Sequence, residues 1–383
     1  MKLLIFSPYY PPHRGGLETH SDEFNKHFSK RGVAITVFTP HLPLESSAEE
    51  IVHENVSVIR FPAIELIHNY PIPAFWKKDF WILWAKIKKS SPEIIISRTR
   101  FFFPSLMAGY LAWKKNLPWV HIEHGSDFAQ FESTYKNTLG QWYDCIFGRF
   151  VLRQAKTLIA NSKASQQFVQ KLSGRTDCHV IYRGIEKELV QNALPVLDVR
   201  EQYPNKILIG YIGRLIEGKG VKDLIQAFAS SNYQESHLII IGDGPERENL
   251  EAKVSALGLS SYVEFLGALP LSLAMGHLKT WDIFVNPSYT EGIPTSVIEA
   301  ALLKKAIIAT NVGGTNEIIT GVDDGILVQP RDITSLKDAL IKLQTERSLL
   351  ESYGQNAEKK VSNLFVWEKA IDSYQALFTK ILS

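Results

Sequence analysis

The sequence predicts an α/β protein of two Rossmann-like domains, each a parallel sheet covered by helices on both faces. Three observations carry this. The chain has 383 residues, more than one compact core ordinarily serves, and two domains of comparable size are the natural division. Short continuous apolar runs alternate with longer amphipathic stretches, as strands buried on both faces alternate with covering helices. The pattern breaks at a polar stretch, residues 186–206, which holds Pro195 and Pro204, and then restarts.

In the first half, residues 3–7 read as a strand and 17–31 as a helix that Gly32 ends. Strands follow at 34–39, 56–61, 93–97, 119–123, 157–160 and 179–182. In the second half, strands fall at 207–212, 238–241, 263–266, 283–286 and 306–309. The boundary is expected near residue 187, giving a first domain of 1–187 and a second of 188–364. The last segment, 365–383, reads as a helix with Trp367, Ile371, Tyr374 and Phe378 among its apolar residues. It follows a complete second domain, so it is expected to return to the first. The two domains are expected to face each other across a cleft, with ligands outside the carboxyl ends of the strands.

Composition narrows the function. Hydrophobic residues make up 45% of the chain, enough for two cores. Lys plus Arg number 42 against 40 Asp plus Glu, a formal charge of +2, so no global basic field calls for nucleic acid as a partner. Cys145 and Cys178 form no C-x-x-C pair or zinc-type cluster and read as reduced thiols. The N-terminal apolar run is too short for a signal peptide and is broken by Pro8, Pro11 and Pro12. No stretch reaches the ~20 apolar residues of a membrane span. A cytoplasmic protein is expected, attached at most to the inner face of the cell membrane.

The second half carries the clearest chemistry. After the strand at 207–212 comes Gly213-Arg214-Leu215-Ile216-Glu217-Gly218-Lys219-Gly220. Its glycines allow a tight turn and close approach to a ligand. Arg214 can fork onto phosphate oxygens, Lys219 adds a point charge, and the next helix would present its positive end. The same features also describe a basic surface turn. Gly242-Asp243-Gly244-Pro245-Glu246-Arg247 lacks the third glycine of a dinucleotide fingerprint and reads as a strand-to-helix turn, with Pro245 as first helical residue. Then follows Thr290-Glu291-Gly292-Ile293-Pro294-Thr295-Ser296-Val297-Ile298-Glu299-Ala300. A helix is expected to begin at Pro294. That puts Glu291 in the loop before it, able to accept from sugar hydroxyls, and Glu299 inside it, where a ribose diol would partner its charge. The alternative reading is two glutamates favouring a helix N-terminus or paired in salt bridges.

Together, GRLIEGKG (213–220), GDGP (242–245), EGIPTSVIEA (291–300) and GGTNEII (313–319) resemble the family 4 retaining glycosyltransferases of the GT-B fold. Gly15-Gly16-Leu17-Glu18 and His124-Gly125 extend the resemblance over nearly the whole chain. It implies that Glu291 and Glu299 match the family's E-x(7)-E motif and that Arg214 and Lys219 bind the donor diphosphate. Gly292, Ile293 and Pro294 join the donor-binding loop, and Gly15 and Gly16 face the donor. His124 matches a histidine that contacts the donor sugar near the reaction centre, and Asp127 orients His124 or the acceptor. His121 is expected on the other side of its strand. The implied activity is retaining transfer of a hexose-type sugar from a UDP- or GDP-sugar to a hydroxyl of a glycan or polyprenol-linked acceptor, in cell-surface polysaccharide or glycolipid synthesis. No metal and no cofactor beyond the nucleotide-sugar donor is expected; the chain has no Asp-x-Asp motif. A sugar-nucleotide 2-epimerase and a non-catalytic nucleotide-sugar-binding protein are the alternatives.

Residues 75–89, FWKKDFWILWAKIKK, place Trp76, Phe80, Leu83, Trp84 and Ile87 on one helical face with five lysines among them. This reads either as a membrane-surface helix contacting anionic lipid or as an ordinary covering helix. The aromatic-rich stretch 141–151 would add to the same surface or simply pack.

Overall fold

The computed structural model describes residues 1–13, 15–67, 70–128 and 134–383. They form two units, Met1–Arg183 with Trp367–Ser383, and Gly184–Val366.

The first unit is built on strands β1 (Lys2–Phe6), β2 (Ala34–Pro40), β3 (Glu49–His53), β4 (Val56–Phe61), β5 (Ala63–Ile67), β6 (Tyr70–Pro73), β7 (Ile94–Arg98), β8 (Trp119–Glu123), β9 (Thr157–Ala160) and β10 (Cys178–Val180). Eight of them form one sheet in the order β10-β9-β8-β7-β1-β2-β4-β3, and β5 and β6 pair as a separate hairpin. Every pairing in the large sheet is parallel except β3 with β4. The order reverses between β1 and β7, which opens a crevice at their carboxyl ends. Helices α1 (Gly16–Ser29), α2 (Lys78–Lys89), α3 (Phe103–Lys115), α4 (Thr134–Tyr143), α5 (Arg149–Gln154) and α6 (Lys163–Ser173) connect the strands. A π-helical turn, Asp144–Gly148, joins α4 to α5. α2, α3, α5 and α6 pack into one core cluster on one face of the sheet, while α1 packs into another.

The second unit has β11 (Ile207–Ile212), β12 (Ser236–Ile241), β13 (Val263–Gly267), β14 (Ile283–Asn286), β15 (Ala306–Thr310) and β16 (Ile326–Val328), parallel throughout in the order β13-β12-β11-β14-β15-β16. This is the Rossmann order, and its switch point lies between β11 and β14. Its helices are α7 (Lys187–Asn192), α8 (Asp198–Gln202), α9 (Val221–Ala229), α10 (Arg247–Ala256), α11 (Leu271–Thr280), α12 (Thr295–Leu302), α13 (Thr315–Ile318), α14 (Ile333–Thr345) and α15 (Ser348–Val361). The chain then returns to the first unit as α16 (Trp367–Leu382). There Tyr374 meets Phe24 of α1 edge-on at 5.0 Å, and Phe378 stacks on Phe28 at 5.7 Å. Aromatic burial of this kind, ~1.5–3 kcal/mol per side chain, ties the C-terminal helix to the first core.

Two expected helix starts are corrected, and of the two readings of α2 the covering helix is favoured. α10 starts at Arg247, with Pro245 in the preceding turn and Glu246 as N-cap. α12 starts at Thr295, because Pro294 has extended ψ of 108° and acts as the N-cap; its carbonyl accepts from the Ile298 N–H at 3.4 Å, as a cap carbonyl does. In α2, Phe80, Trp84 and Ile87 are buried in the core. The apolar face that a membrane reading would have turned to lipid therefore covers the sheet, and the aromatics left outside are Trp76 and Trp81.

Candidate active site

In the second unit, the loops after β11 and β14 meet at the switch point. Gly220 has φ of +65°, and a Cβ there would lie 2.1 Å from the Pro287 carbonyl oxygen, so only glycine permits this approach. The Tyr289 N–H donates to the Gly218 carbonyl at 2.9 Å. This contact brings Lys219 to Glu291: Nζ lies 2.6 Å from Oε1. Ser288 Oγ donates to the same carboxylate oxygen at 2.7 Å. Tyr289 donates to Asp223 on α9 at 2.8 Å, and Arg331 lies over the Tyr289 ring at 3.9 Å, so the loop carrying Glu291 is held on both sides. The Gly314 N–H donates to the Gly292 carbonyl at 2.8 Å, which links the GGTNEII segment to the turn before α12.

Arg214 is exposed, and among the described residues its guanidinium makes no hydrogen bond or ion pair. Below it, the Tyr211 hydroxyl donates to the Arg214 carbonyl at 3.0 Å and fixes the backbone only. Ile293 and Pro294 are buried beneath the loop, and Glu299 is half-buried one turn into α12. Lys219, Glu291 and the α12 N-terminus are thus gathered in one loop cluster. A cation able to bind phosphate and a carboxylate able to accept from hydroxyls stand in contact.

The first unit has its own organised turn. Gly15 is the extended N-cap of α1, and Gly16 is exposed as its first residue. Glu18 folds back below Gly15 and contacts His13 Nδ1 at 2.5 Å, and the His13 ring stacks on Tyr9 at 4.1 Å. His124 and Gly125 follow β8, and both backbone N–H groups donate to Glu123 Oε1, at 3.0 and 2.8 Å. Glu123 is fully buried and paired with Arg100 at 3.1 Å and with His121 at 3.3 Å. Burial alone would raise its pKa, but the Arg100 charge, His121 and the turn's N–H groups hold it below the usual carboxylate range. Arg100 also reaches Asp144 at 2.7 Å and the Asp127 carbonyl at 3.0 Å.

His124 packs edge-on against His20 of α1, with ring centroids 4.8 Å apart. Its Nε2 is buried without a hydrogen-bond partner among the described residues. Burial first, and then the nearby Arg98 charge, push its pKa down to about 3, against the opposing pull of Glu123. His124 is therefore a neutral imidazole at every ordinary pH. Asp127 is exposed, and its carboxylate accepts from the Phe128 N–H at 2.7 Å rather than from His124. The residue that shapes the His124 turn is Glu123, which sequence reasoning passed over, as it did Arg100, His20 and Arg98. The signal for Glu123 and Arg98 was a charge at the end of an apolar strand.

Residues 14–189 match the family described as Glycosyltransferase Family 4, and residues 198–360 match Glycosyl transferases group 1. The uncharacterized glycosyltransferase MJ1069 of Methanocaldococcus jannaschii is 34% identical over 392 residues, covering 100% of this chain and 99% of its own. The capsular polysaccharide biosynthesis glycosyltransferase CapM of Staphylococcus aureus is 30% identical over 177 residues, 44% of this chain and 46% of its own. Among solved structures, Anabaena Alr3699/HepE in complex with UDP and glucose superposes with a TM-score of 0.78 at 20% identity, over 99% of this chain and 100% of its own. With the two parallel-sheet units and the loop cluster described above, these matches place the chain in glycosyltransferase family 4, the glycosyl transferases group 1, with the GT-B fold and relatives in polysaccharide biosynthesis.

Proposed function

We propose that the protein is a retaining, metal-independent hexosyltransferase. It moves the sugar of a UDP- or GDP-sugar onto a hydroxyl of a glycan or polyprenol-linked acceptor, in the assembly of cell-surface polysaccharide or glycolipid at the inner face of the membrane. The observation that carries this reading is the Lys219–Glu291 contact of 2.6 Å at the switch point of a Rossmann-ordered sheet. A Lys for the phosphate and a Glu for the sugar hydroxyls meet where the sugar is joined to the diphosphate.

Arg214 and Lys219 bind the diphosphate, and the α12 N-terminus adds positive potential as charge develops on the leaving group. Glu291, with Gly292, Ile293 and Pro294 around it, holds the sugar, and Glu299 holds the ribose. On the first unit, Gly15 and Gly16 leave backbone room for the donor, and neutral His124 contacts the transferred sugar. In the reaction the bond between the anomeric carbon and the diphosphate oxygen breaks. The acceptor oxygen bonds to that carbon on the same face, and the hydroxyl proton passes to the departing phosphate. No protein nucleophile is required. The HepE structure with UDP and glucose and the role of CapM in capsular polysaccharide support the donor and acceptor classes.

A thermal-shift panel of nucleotide sugars, followed by product analysis with the best ligand, tests the reading. A donor that binds raises the melting temperature by mass action. Release of nucleoside diphosphate only with an acceptor present agrees with transfer. An epimerised donor formed without any acceptor would overturn it.

A further inference from the structure

The sheet of the first unit reverses its order between β1 and β7, and the loops that leave those two strands wall the crevice between them. Both walls are aromatic. Tyr9 and His13 follow β1, and Phe101 and Phe102 follow β7. The β5–β6 hairpin adds Tyr70. These five rings, from three separate segments, form one chain of contacts. His13 stacks on Tyr9 at 4.1 Å, and Tyr9 meets Phe102 edge-on at 6.1 Å. Phe102 stacks on Tyr70 at 5.6 Å, and Tyr70 meets Phe101 edge-on at 5.4 Å. The Tyr70 hydroxyl donates to that of Tyr143, at the end of α4, at 2.9 Å.

This platform stands apart from the packing of the sheet. Tyr9 is buried, but His13, Tyr70, Phe101 and Phe102 stay half-buried. None of the five belongs to the two core clusters through which the helices cover the sheet. The backbone that carries it is held in an unfavourable shape. Thr99, which opens the loop after β7, has φ of +59°, a region that a β-branched residue rarely adopts. Such strain persists only where the surrounding structure enforces it, and it gathers where ligands bind.

Hydrogen-bond acceptors edge the rings. Glu65 is exposed and accepts from the Tyr9 hydroxyl at 2.9 Å, and its second oxygen has no partner among the described residues. Buried Glu18 lies 2.5 Å from His13 Nδ1. A carboxylate only accepts, so in the neutral ring the proton sits on Nδ1 and Nε2 is left as an acceptor, again without a partner among the described residues. Half-buried ring faces bordered by acceptors match a pyranose, which has C–H groups on its faces and hydroxyl donors around its rim. A polyprenyl chain would cover the rings too, but it would bury the Glu65 carboxylate and His13 Nε2 with no donor for either, which is costly.

We propose that His13, Phe102, Tyr70 and Glu65 form a subsite for a sugar ring of the acceptor, so that this unit recognises a saccharide. Its assignment to the acceptor rests on the transfer reaction proposed above. The test is saturation-transfer NMR of the full chain with the methyl glycosides of glucose, galactose, mannose and N-acetylglucosamine, and with farnesyl phosphate as the lipid probe. At least one glycoside should bind. Phe102→Leu should weaken that binding about tenfold, the loss of a buried aromatic face, and Phe102→Tyr, which keeps the ring, should restore it. His13→Ala should weaken it as well. Binding of UDP and of GDP, measured by calorimetry on the same proteins, should be equal in wild type and variants; its absence in all of them would count against the donor reading alone. Three outcomes overturn the proposal: no glycoside binds, glycoside binding is unaltered in Phe102→Leu or in His13→Ala, or farnesyl phosphate displaces the glycoside and loses its own affinity in Phe102→Leu.

Discussion

Arg98 donates from Nη1 to Nδ1 of His20 at 3.0 Å, at a position with no exposed surface, and among the described residues it pairs with no carboxylate. A guanidinium only donates, so His20 Nδ1 must be the accepting nitrogen and its proton must sit on Nε2. The Arg98 charge thus fixes the His20 tautomer and, through the ring contact of 4.8 Å, backs His124 with a neutral imidazole. Burial and the neighbouring positive charges hold His20 well below its ordinary value and His124 at about 3.

The pH dependence follows from the sign. Both histidines stay neutral in the folded protein, while in the unfolded chain they take up protons near pH 6.5. Their contribution to stability is complete above that pH and is lost as the pH falls toward 3. Arg98→Met removes the charge and raises both values, so its melting temperature should fall less steeply between pH 6.5 and 4 than the wild type's; Arg98→Lys should keep the wild-type slope. Calorimetry over that range decides it, and parallel slopes for wild type and Arg98→Met would refute the role of the charge.

Gly220 and Gly218 make a paired test of the loop proposed to bind the diphosphate. A Cβ on Gly220 would strike the Pro287 carbonyl at 2.1 Å in a backbone with φ of +65°, whereas a Cβ on Gly218 meets nothing within 4 Å. Gly220→Ala should therefore push the Lys219 loop off the β14 loop, weakening donor binding about tenfold and costing ~1–3 kcal/mol of stability. Gly218→Ala should bind donor as the wild type does. Titration calorimetry with the preferred nucleotide sugar distinguishes them; equal affinities for the two variants would show that loop contact does not set the site.

Glu123→Gln tests the buried ion pair under the His124 turn. Arg100 would keep Asp144 but lose the carboxylate 3.1 Å from Nη1, and His121 would lose its acceptor. Breaking a buried pair from one side costs ~3–5 kcal/mol, to be read from urea denaturation at pH 7. Glu123 is depressed, so its contribution holds above the ordinary glutamate range and is lost as the pH falls through it. The gap between wild type and Glu123→Gln should therefore narrow in acid. A gap that stays constant to pH 3 would show that the charge is not what matters.

The parallel sheets were readable because their strands are continuous apolar runs, such as Ile94 to Ile96 and Leu238 to Ile241, whose residues need no partner outside the sheet. The loops after β11 and β14 were readable as a candidate site because glycines, a proline and charges cluster within single segments. The support of His124 was not, because its parts are far apart in sequence. Arg98 and His20 are separated by 78 residues and Glu123 and Arg100 by 23, and only the adjacency of β7 and β8 and the packing of α1 bring them together. The orientation of α2 was ambiguous for a related reason. Helical period identifies a face, but Phe80, Trp84 and Ile87 cover the sheet only because the apolar side of α3 lies beside them.

The Lys219–Glu291 contact yields the sharpest prediction. If Lys219 binds the phosphate and Glu291 the sugar on either side of the bond that breaks, each acts on the same transition state. Lys219→Ala and Glu291→Ala should each lower kcat/KM by about 10²–10³, the range for removing one group that stabilises developing charge. Neither should unfold the protein, because both residues lie in loops outside the core cluster of the second unit. The double variant should lose less than the product of the two single losses, since Lys219 unpaired from Glu291 is already misplaced, with a coupling of ~0.5–3 kcal/mol. Steady-state transfer rates for the four proteins close the cycle. Strictly multiplicative losses would separate the two roles, and near-wild-type rates in both single variants would remove these residues from the reaction altogether.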